Sequence, residues 1–279
     1  MPDQIESDYV YFGFGKITEY LIRQTISQGK SVTCITSQTQ GHLSNQSLVF
    51  IDPASLLKHN VISRTAIFSW RELNIANSAL LHWISSNSFF AKNSFLLSSA
   101  SVYKESRVPL DEGTSNLAAD HLTNKKFTLE RALFEALGSK DVNHTNLRIS
   151  NVYGENLHYG FVSSLINSIK HKIIPDIYTD TDIMRDYLSV RDLSSAIEEL
   201  AEINIQEENL NVSTGVGTTL MEVLKVFTKF GFELTSANYV DAPENIKKKV
   251  ILDCSKLKSI IDWKPANFEV ELKKIIQTL

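Results

Sequence analysis

The sequence contains little that would indicate a disulfide-stabilised, membrane-embedded or nucleic-acid-binding protein. Its only two cysteines, Cys34 and Cys254, lie far apart and outside any C-x-x-C pattern, which argues against a disulfide framework and a cysteine zinc site. No apolar run approaches the ~18 residues of a membrane-spanning helix. The 28 basic residues are outnumbered by 32 acidic ones, giving a net charge of −4, so there is no basic surplus for nucleic acid. We therefore expect neither a membrane nor a nucleic acid as a partner.

The N-terminal residues are acidic where a secretion signal would be basic, which leads us to expect a cytoplasmic protein. The seven histidines show no metal-ligand spacing, and we expect no metal. Apolar residues make up 43% of the 279 positions, enough for a large core in one domain or in two joined lobes.

Short apolar runs alternate with longer segments of helical period, which predicts an α/β protein with a doubly wound, mostly parallel sheet. The predicted strands are Tyr9–Phe14, Ser31–Thr36, Leu48–Ile51, Thr65–Ser69, Phe95–Ser98, Asn146–Ile149 and Asp186–Val190. The predicted helices are Ile17–Gln28, Glu72–Ser86, Leu117–Leu137, Phe161–His171, Asp192–Glu202, Met221–Phe230 and Phe268–Leu279. The strands are apolar throughout rather than alternating, as expected where both faces of a sheet are covered.

A glycine-containing turn joins the first strand to the first helix. Such a turn presents backbone N–H groups and the positive end of a helix to a pyrophosphate, and the alternative is merely a tight turn. Thr18 stands where the third glycine of the G-x-G-x-x-G pattern would be. The residues expected to contact the cofactor phosphates are Gly13, Phe14, Gly15, Lys16 and Ile17.

The second predicted strand does not end in the carboxylate that usually binds the ribose 2′-hydroxyl of NAD. Ser37 stands in that region, and with Lys16 it could contact a 2′-phosphate, which favours NADP over NAD; the alternative is two ordinary surface residues. Asp52, after the third strand, could accept a hydrogen bond from the adenine amino group or simply form an Asp–Pro turn.

Five further segments resemble the extended short-chain dehydrogenases, the NAD(P)-dependent nucleotide-sugar epimerase, dehydratase and reductase group, in order and spacing. They are Leu97–Tyr103, Asn146–Gly154, Arg185–Asp192, Asn211–Gly215 and Asp262–Pro265. The resemblance implies a dinucleotide-binding domain, expected at residues 1–155, and a smaller substrate lobe at 156–279, with 186–205 returning to the main sheet. It also implies a nucleotide-sugar ligand in a cleft between the two. It further implies a homodimer formed through the helices predicted at Glu72–Ser86 and Leu117–Leu137.

This family carries a Tyr-x-x-x-Lys pair whose tyrosine exchanges a proton with the sugar hydroxyl. A glutamate four residues after the lysine matches Glu130, which makes the lysine Lys126 and places Leu122 at the tyrosine position. Shifting the alignment by one residue pairs His121 with Lys125 and loses the glutamate match. Leucine has no proton to give. Either another group such as His121 relays it, or redox activity is lost.

The resemblance assigns roles to four more residues. Ser99 would orient the reacting oxygen, Ser69 would lie beside the cofactor, and Asn151 and Arg185 would bind the sugar diphosphate. Lys126 would hold the nicotinamide ribose. The alternatives are a turn-stabilising role for Asn151 and a salt bridge from Arg185 to Asp186 or Asp192.

Trp70 follows the fourth predicted strand, where the family has small residues. It could stack on the cofactor, restrict its entry or cap the core. The leading hypothesis is an NAD(P)-dependent oxidoreductase or epimerase acting on a nucleotide sugar. The alternative is a non-catalytic protein that binds NAD(P) or a nucleotide sugar and acts through a partner.

Overall fold

The computed structural model describes residues 3–37, 45–56, 58–86, 88–113, 117–118, 121–138, 140–233 and 237–278, with the backbone alone at 121–124. The chain forms two compact units that interleave along the sequence. The first contains residues 1–102, 119–148 and 197–210, and the second contains 103–118, 149–196 and 211–279.

Thirteen strands are found in the described part of the chain: β1 (Asp3–Phe12), β2 (Val32–Ile35), β3 (Leu48–Ile51), β4 (His59–Phe68), β5 (Phe89–Leu97), β6 (Asn143–Ile149), β7 (Asn151–Tyr153), β8 (Asp176–Tyr178), β9 (Met184–Ser189), β10 (Asn209–Val212), β11 (Gly217–Thr219), β12 (Asn238–Val240) and β13 (Lys249–Val250). Nine α-helices accompany them: α1 (Lys16–Ser27), α2 (Pro53–Leu56), α3 (Ile75–Ser85), α4 (His121–Leu137), α5 (Phe161–His171), α6 (Val190–Glu202), α7 (Leu220–Lys229), α8 (Ser255–Ile260) and α9 (Phe268–Gln277).

The main sheet has seven strands in the order β10-β6-β5-β4-β1-β2-β3, and the pairings from β3 across to β6 are parallel. The chain runs outward from β1 to β3 and then returns to place β4 on the other side of β1. The predicted doubly wound α/β fold is therefore confirmed. Its topological switch point lies between β1 and β4, which is where such sheets bind ligands, beyond the carboxyl ends of the strands.

Three central strands begin earlier than predicted. β1, β4 and β5 start at Asp3, His59 and Phe89, because polar residues at their amino ends pair with neighbouring strands as well as apolar ones do. An apolar run marks only the part of a parallel strand that is covered on both faces. The buried carboxyl halves, which carry the candidate site, are the halves that were predicted.

One hydrophobic cluster fills the first unit between the sheet and the helices α3 and α4. Phe12, Phe68, Trp70, Trp83 and Phe89 form its aromatic centre, with the Phe12 and Phe68 rings stacked at 4.4 Å. At ~25 cal/mol per Å² of buried apolar surface, large aromatic side chains of this kind dominate the stability of a core.

The second unit contains two small sheets. β9 pairs with β7, β11 and β13, and β12 pairs with β8. A hydrophobic cluster that includes Tyr153, Tyr187 and Phe227 packs helices α5, α7 and α9 together.

The strand predicted at 186–190 does not return to the main sheet, contrary to expectation. It is β9 and pairs within the second unit, while β10 takes the place beside β6. The amino-acid types of β9 and β10 do not reveal which partner each will choose, because strand pairing is decided by contacts between distant segments. The short strands β8 and β11 were not among the predicted strands.

No helix in the described residues has the length and apolar content needed to cross a membrane. Within those same residues, no three His, Cys, Asp or Glu side chains are grouped as metal ligands would be. Cys34 and Cys254 are both free and buried.

Candidate functional site

The switch point of the main sheet brings Gly13 and Ser69 together. Gly13 follows β1 and has a φ of +96°, a left-handed conformation that favours glycine. A Cβ atom at Gly13 would lie 2.9 Å from the Ser69 Oγ and 3.4 Å from the Trp70 Cδ1. The Ser69 backbone N–H donates to the Phe12 carbonyl at 2.9 Å, which ties the ends of the two strands together. Glycine at position 13 is thus required by both backbone conformation and space.

Helix α1 begins immediately after this turn with an open N-terminus. Its N-cap residue is Gly15, no side chain caps it, and a Cβ atom built there would meet nothing within 4 Å. The first-turn N–H groups of a helix need acceptors, and an anion in front of them also interacts favourably with the helix dipole. The start of α1 therefore has both the space and the donors for a phosphate group.

The side chains around this turn have their own contacts. The Phe14 ring packs edge-on against Phe50 at 5.9 Å, and the Lys16 ammonium pairs with the Glu19 carboxylate at 3.1 Å. Ile17 is half-buried and Thr18 is fully buried at the position of the third glycine.

The ends of β2 and β3 present few charged groups. Ser37 is exposed, and Asp52, also exposed, accepts a hydrogen bond from the Ala54 N–H at 2.8 Å at the start of α2. Asp52 thus forms the Asp–Pro turn that was one of its two predicted roles. That bond uses a single carboxylate oxygen.

Trp70 belongs to the core. It is only 6% exposed and packs edge-on against Phe12 and Phe68, with ring centroids at 6.0 and 5.2 Å. Of the three roles considered for this residue, capping the core is the one that its burial supports. The indole does not occupy the open space in front of Gly15.

Lys126 extends from α4 to the carboxyl ends of β4 and β5. Its ammonium group donates to the Trp70 carbonyl at 2.8 Å and to the Leu97 carbonyl at 3.1 Å. Burial lowers the pKa of Lys126 to about 8; the negative charge of Glu130 opposes this decrease and the positive charge of Arg71 adds to it. An ammonium group has three N–H donors, so these two bonds leave one donor for a ligand.

The two serines after β5 have different environments. The Ser99 Oγ accepts a hydrogen bond from the Ser101 N–H at 3.1 Å and keeps its own hydrogen to donate. The Ser98 hydroxyl is buried and donates to the Glu130 carboxylate. Ser99 is the more accessible of the pair, in agreement with the motif-based choice.

Two candidate residues are described only by their backbone. His121 and Leu122 lie in the first turn of α4, and the positions of their side chains fall outside the described residues. Their predicted roles, as possible proton relay and as replacement for the family tyrosine, stay predictions.

In the second unit, Arg185 on β9 is a half-buried cation whose charge is favoured by the Glu105 carboxylate in its surroundings. Its Nη1 donates to the Met184 carbonyl at 2.8 Å and to the Lys248 carbonyl at 3.2 Å, and none of the ion pairs in the described residues includes it. Burial lowers the pKa of Arg185. The salt bridges to Asp186 or Asp192 that were considered as an alternative are absent from those ion pairs.

Asp186 supports the loop that follows β10. Its fully buried carboxylate accepts bonds from the Thr214 hydroxyl, the Thr214 N–H and the Gly215 N–H at 2.8–3.0 Å. Burial raises the pKa of Asp186, and these bonds to the charged form counteract the increase. Asn151 donates to the Asp186 carbonyl at 3.3 Å and so links β7 to β9, the turn-stabilising role considered for it.

Three buried charged residues had no role assigned from the sequence. Glu130 served only to align the helix motif, and Arg148 and Asp186 lay within motifs that gave them no role of their own. The signal that could have found them is their position inside otherwise apolar strands and helix faces, where charged residues are almost never buried without a partner.

The residues at the switch point fit a dinucleotide. The uncapped start of α1 and the close approach at Gly13 suit a pyrophosphate, and the Lys126 ammonium beside two strand ends suits ribose hydroxyls.

Comparison with known proteins agrees with this geometry. Residues 50–213 match the model of the NAD dependent epimerase/dehydratase family. A curated relative, dTDP-4-dehydro-6-deoxyglucose reductase of Escherichia coli, is 26% identical over 181 residues, which cover 61% of this chain and 55% of the relative. The match thus spans little more than half of that relative's length.

Solved structures share the fold across the whole chain. The complex of MoeE5 with UDP-glucose and NAD has a TM-score of 0.82 at 19% identity, covering 97% of both chains. UDP-glucose 4-epimerase of Thermotoga maritima has a TM-score of 0.80 at 20% identity, covering 98% of both. Since the family model matches more than half of the chain, the protein is a member of the NAD-dependent epimerase/dehydratase family, the extended short-chain dehydrogenase group that the sequence motifs indicated.

Proposed function

We propose that this protein is an NAD(P)-dependent oxidoreductase or epimerase that acts on a nucleoside-diphosphate sugar. The observation that supports the sugar nucleotide best is Arg185, a half-buried guanidinium whose described partners are two backbone carbonyls. Partial burial of this cation costs free energy that the surrounding Glu105 carboxylate offsets without a direct ion pair in the described residues. A bound diphosphate would supply bidentate, charge-assisted hydrogen bonds to it.

The coenzyme contacts would come from the first unit. The open start of α1 would bind the pyrophosphate, Asp52 the adenine amino group and Lys126 the hydroxyls of the nicotinamide ribose. Ser69, next to Gly13, would lie beside the coenzyme. When bound, NAD(P) supplies the hydride chemistry of the family.

We propose NADP as the preferred coenzyme. Ser37 is exposed and uncharged, so this residue itself would not repel a 2′-phosphate. Lys16 begins helix α1, which follows the neighbouring strand β1. Glu19 already pairs with Lys16 at 3.1 Å, which limits the contribution of that lysine. The proposed preference for NADP over NAD therefore depends mainly on the uncharged Ser37, which stands where NAD-binding proteins usually carry a carboxylate.

The substrate would be held by Arg185 and Asn151 in the second unit. The Ser99 hydroxyl, with its hydrogen available, would orient the reacting oxygen of the sugar. Leu122 cannot supply the proton that a tyrosine would, so catalysis without a substitute donor is expected to be slow by ~10²–10⁴-fold.

A second candidate function follows from Leu122. A protein that binds the dinucleotide or the nucleotide sugar without turning it over, and acts through a partner, needs the phosphate-binding groups but not the proton donor. The same experiments separate the two candidates.

The deciding experiment measures binding and turnover together. Binding of a panel of nucleotide sugars is followed by calorimetry, and oxidation or reduction of NAD(P) by absorbance. We expect Arg185→Ala to weaken nucleotide-sugar binding ~10–100-fold, as for a charge-assisted bidentate contact of ~1.5–3 kcal/mol. Arg131→Ala removes an exposed arginine of α4 and should leave binding unchanged.

The outcomes of this experiment distinguish the enzyme from the non-catalytic binding protein. Turnover that Ser99→Ala abolishes supports the enzyme, whereas tight binding with no turnover supports the non-catalytic protein. Equal nucleotide-sugar affinity of the wild type and Arg185→Ala would contradict the proposed substrate.

A further inference from the structure

A buried ionic cluster lies directly behind Lys126. Glu130 and Arg148 are 2% and 1% exposed, and the Arg148 guanidinium donates to both Glu130 oxygens, from Nη2 at 2.9 Å and from Nε at 3.3 Å. The buried Ser98 hydroxyl donates to the same carboxylate. One carboxylate therefore joins helix α4, the residue after β5 and strand β6.

Fold stability alone does not explain this cluster. Removing two charges from water costs several kcal/mol per ion, and replacing a buried pair with apolar side chains is often neutral or stabilising. The cluster lies against the predicted catalytic machinery. Ser98 precedes Ser99, and the Leu97 carbonyl, one residue earlier, accepts the hydrogen bond from Lys126.

Glu130 also faces Lys126 along the helix. Residues four apart lie on the same face of an α-helix, so the Glu130 carboxylate is one turn from the ammonium-bearing side chain. The other charges around Lys126 are Arg71, which opposes its ionisation, and the neighbouring Lys125–Glu72 pair. Arg148 adds a positive charge on the far side of the Glu130 carboxylate, to which it is bonded. Glu130 is the group whose charge favours the ammonium form.

We infer that Glu130 is a positioning residue of the coenzyme site: its buried carboxylate holds the end of β5 against α4 and supplies the negative charge that keeps the Lys126 ammonium ionised. Lys126, not Glu130, would touch the coenzyme. The effect of Glu130 on coenzyme binding rests on the proposed function, but the charge state of Lys126 can be measured without coenzyme.

The test follows Lys126 in the unliganded protein. Nitrogen-15 NMR of lysine side-chain ammonium groups, with Lys126→Arg to assign the signal, gives its titration between pH 6 and 10. In the wild type we expect a midpoint near pH 8. In Glu130→Gln the midpoint should fall by about one unit, a ~10-fold change in the ionisation constant.

Matched controls separate this effect from a general loss of structure. Glu130→Asp keeps the charge and should restore a midpoint near that of the wild type. Glu135→Gln removes an exposed carboxylate from the same helix and should leave the midpoint unchanged. A purely structural role for Glu130 would lower the melting temperature in Glu130→Gln without moving the titration.

A second variant tests the inference if Glu130→Gln does not fold. Glu130→Gln leaves Arg148 buried without its carboxylate, which can prevent folding, whereas Glu130→Leu combined with Arg148→Met removes both charges. This double variant should lower the Lys126 midpoint by less than Glu130→Gln does, because the positive charge of Arg148 is removed together with the nearer negative charge of Glu130. An unchanged midpoint in every folded variant that lacks the Glu130 charge overturns the inference. Lack of NAD(P) binding by the wild type would instead contradict the proposed function.

Discussion

At the scale of single residues, burial changes the charge behaviour of the Lys126 side chain. Its ammonium is held by two backbone carbonyls, and burial lowers its pKa to about 8. At pH 7 the group is still mostly charged and can donate a hydrogen bond. It loses this charge within the range of ordinary biochemical buffers, unlike an exposed lysine with a pKa near ~10.4.

We predict that NADP affinity decreases as the pH rises through 8. At pH 9 about nine-tenths of a group with a pKa of 8 is neutral, so the charged contact to the coenzyme is largely lost. Fluorescence titration between pH 6.5 and 9.5 measures the effect. Lys126→Arg, whose charge persists, should have no such decrease, and an equal decrease in that variant would contradict the assignment.

The same pKa shift has a defined effect on stability. Because the pKa of Lys126 is lower in the folded protein than in the unfolded chain, the unfolded state binds more protons between pH 8 and 10.5. This residue's contribution to the free energy of unfolding therefore increases with pH across that window and is constant below it.

At the scale of elements, the strand–turn–helix unit at the switch point contains two glycines, and their positions differ in whether the backbone requires glycine. Gly13 needs glycine for its φ of +96° and for the close approach of Ser69, whereas Gly15 has an extended φ of −142° that any residue can adopt. The backbone at position 15 therefore does not require glycine. We attribute the glycine there to the open space that it leaves in front of the first turn of α1.

We predict opposite profiles for alanine at these two positions. Gly15→Ala should change stability by less than ~1 kcal/mol but weaken coenzyme binding ~10-fold or more, because the methyl group enters the phosphate position. Gly13→Ala should destabilise the fold by ~1–3 kcal/mol through left-handed strain and the contact with Ser69. Chemical denaturation and calorimetry measure the two effects; full coenzyme affinity in Gly15→Ala would show that no phosphate binds there.

At the scale of the whole molecule, helices α3 and α4 leave apolar side chains uncovered on the first unit. Phe134 on α4 is 46% exposed and Ile75 on α3 is 93% exposed, although both helices bury their other apolar residues in the core. Apolar residues exposed singly are common on protein surfaces, so these two gain meaning only from the homodimer that the family resemblance implies. The homodimer that the family resemblance implies would cover them.

We predict that the protein is a dimer in solution and that Phe134→Glu shifts it toward the monomer. A charge at the centre of an apolar interface is desolvated without a partner, which costs several kcal/mol. Light scattering at a series of concentrations measures the mass. Tyr159→Glu, at a 71% exposed position of the second unit, is the control, and a monomeric wild type would refute the prediction.

The sequence alone determined the fold class, the order of the main elements and the identity of Gly13, Ser99, Lys126 and Arg185 as candidates. These features depend on local patterns, namely apolar runs, a glycine turn and short motifs, which are readable because each is set by neighbouring residues. Helix α5 and strand β3 even begin and end where predicted.

Only the tertiary structure decided the features that depend on contacts between distant segments. It placed β9 in the small sheet and β10 in the main one, buried Trp70 in the core, and revealed that Glu130, Arg148 and Ser98 form one cluster behind Lys126. Strand partners, burial and the pairing of charges are set by which remote segments meet, and a one-dimensional pattern does not carry that information.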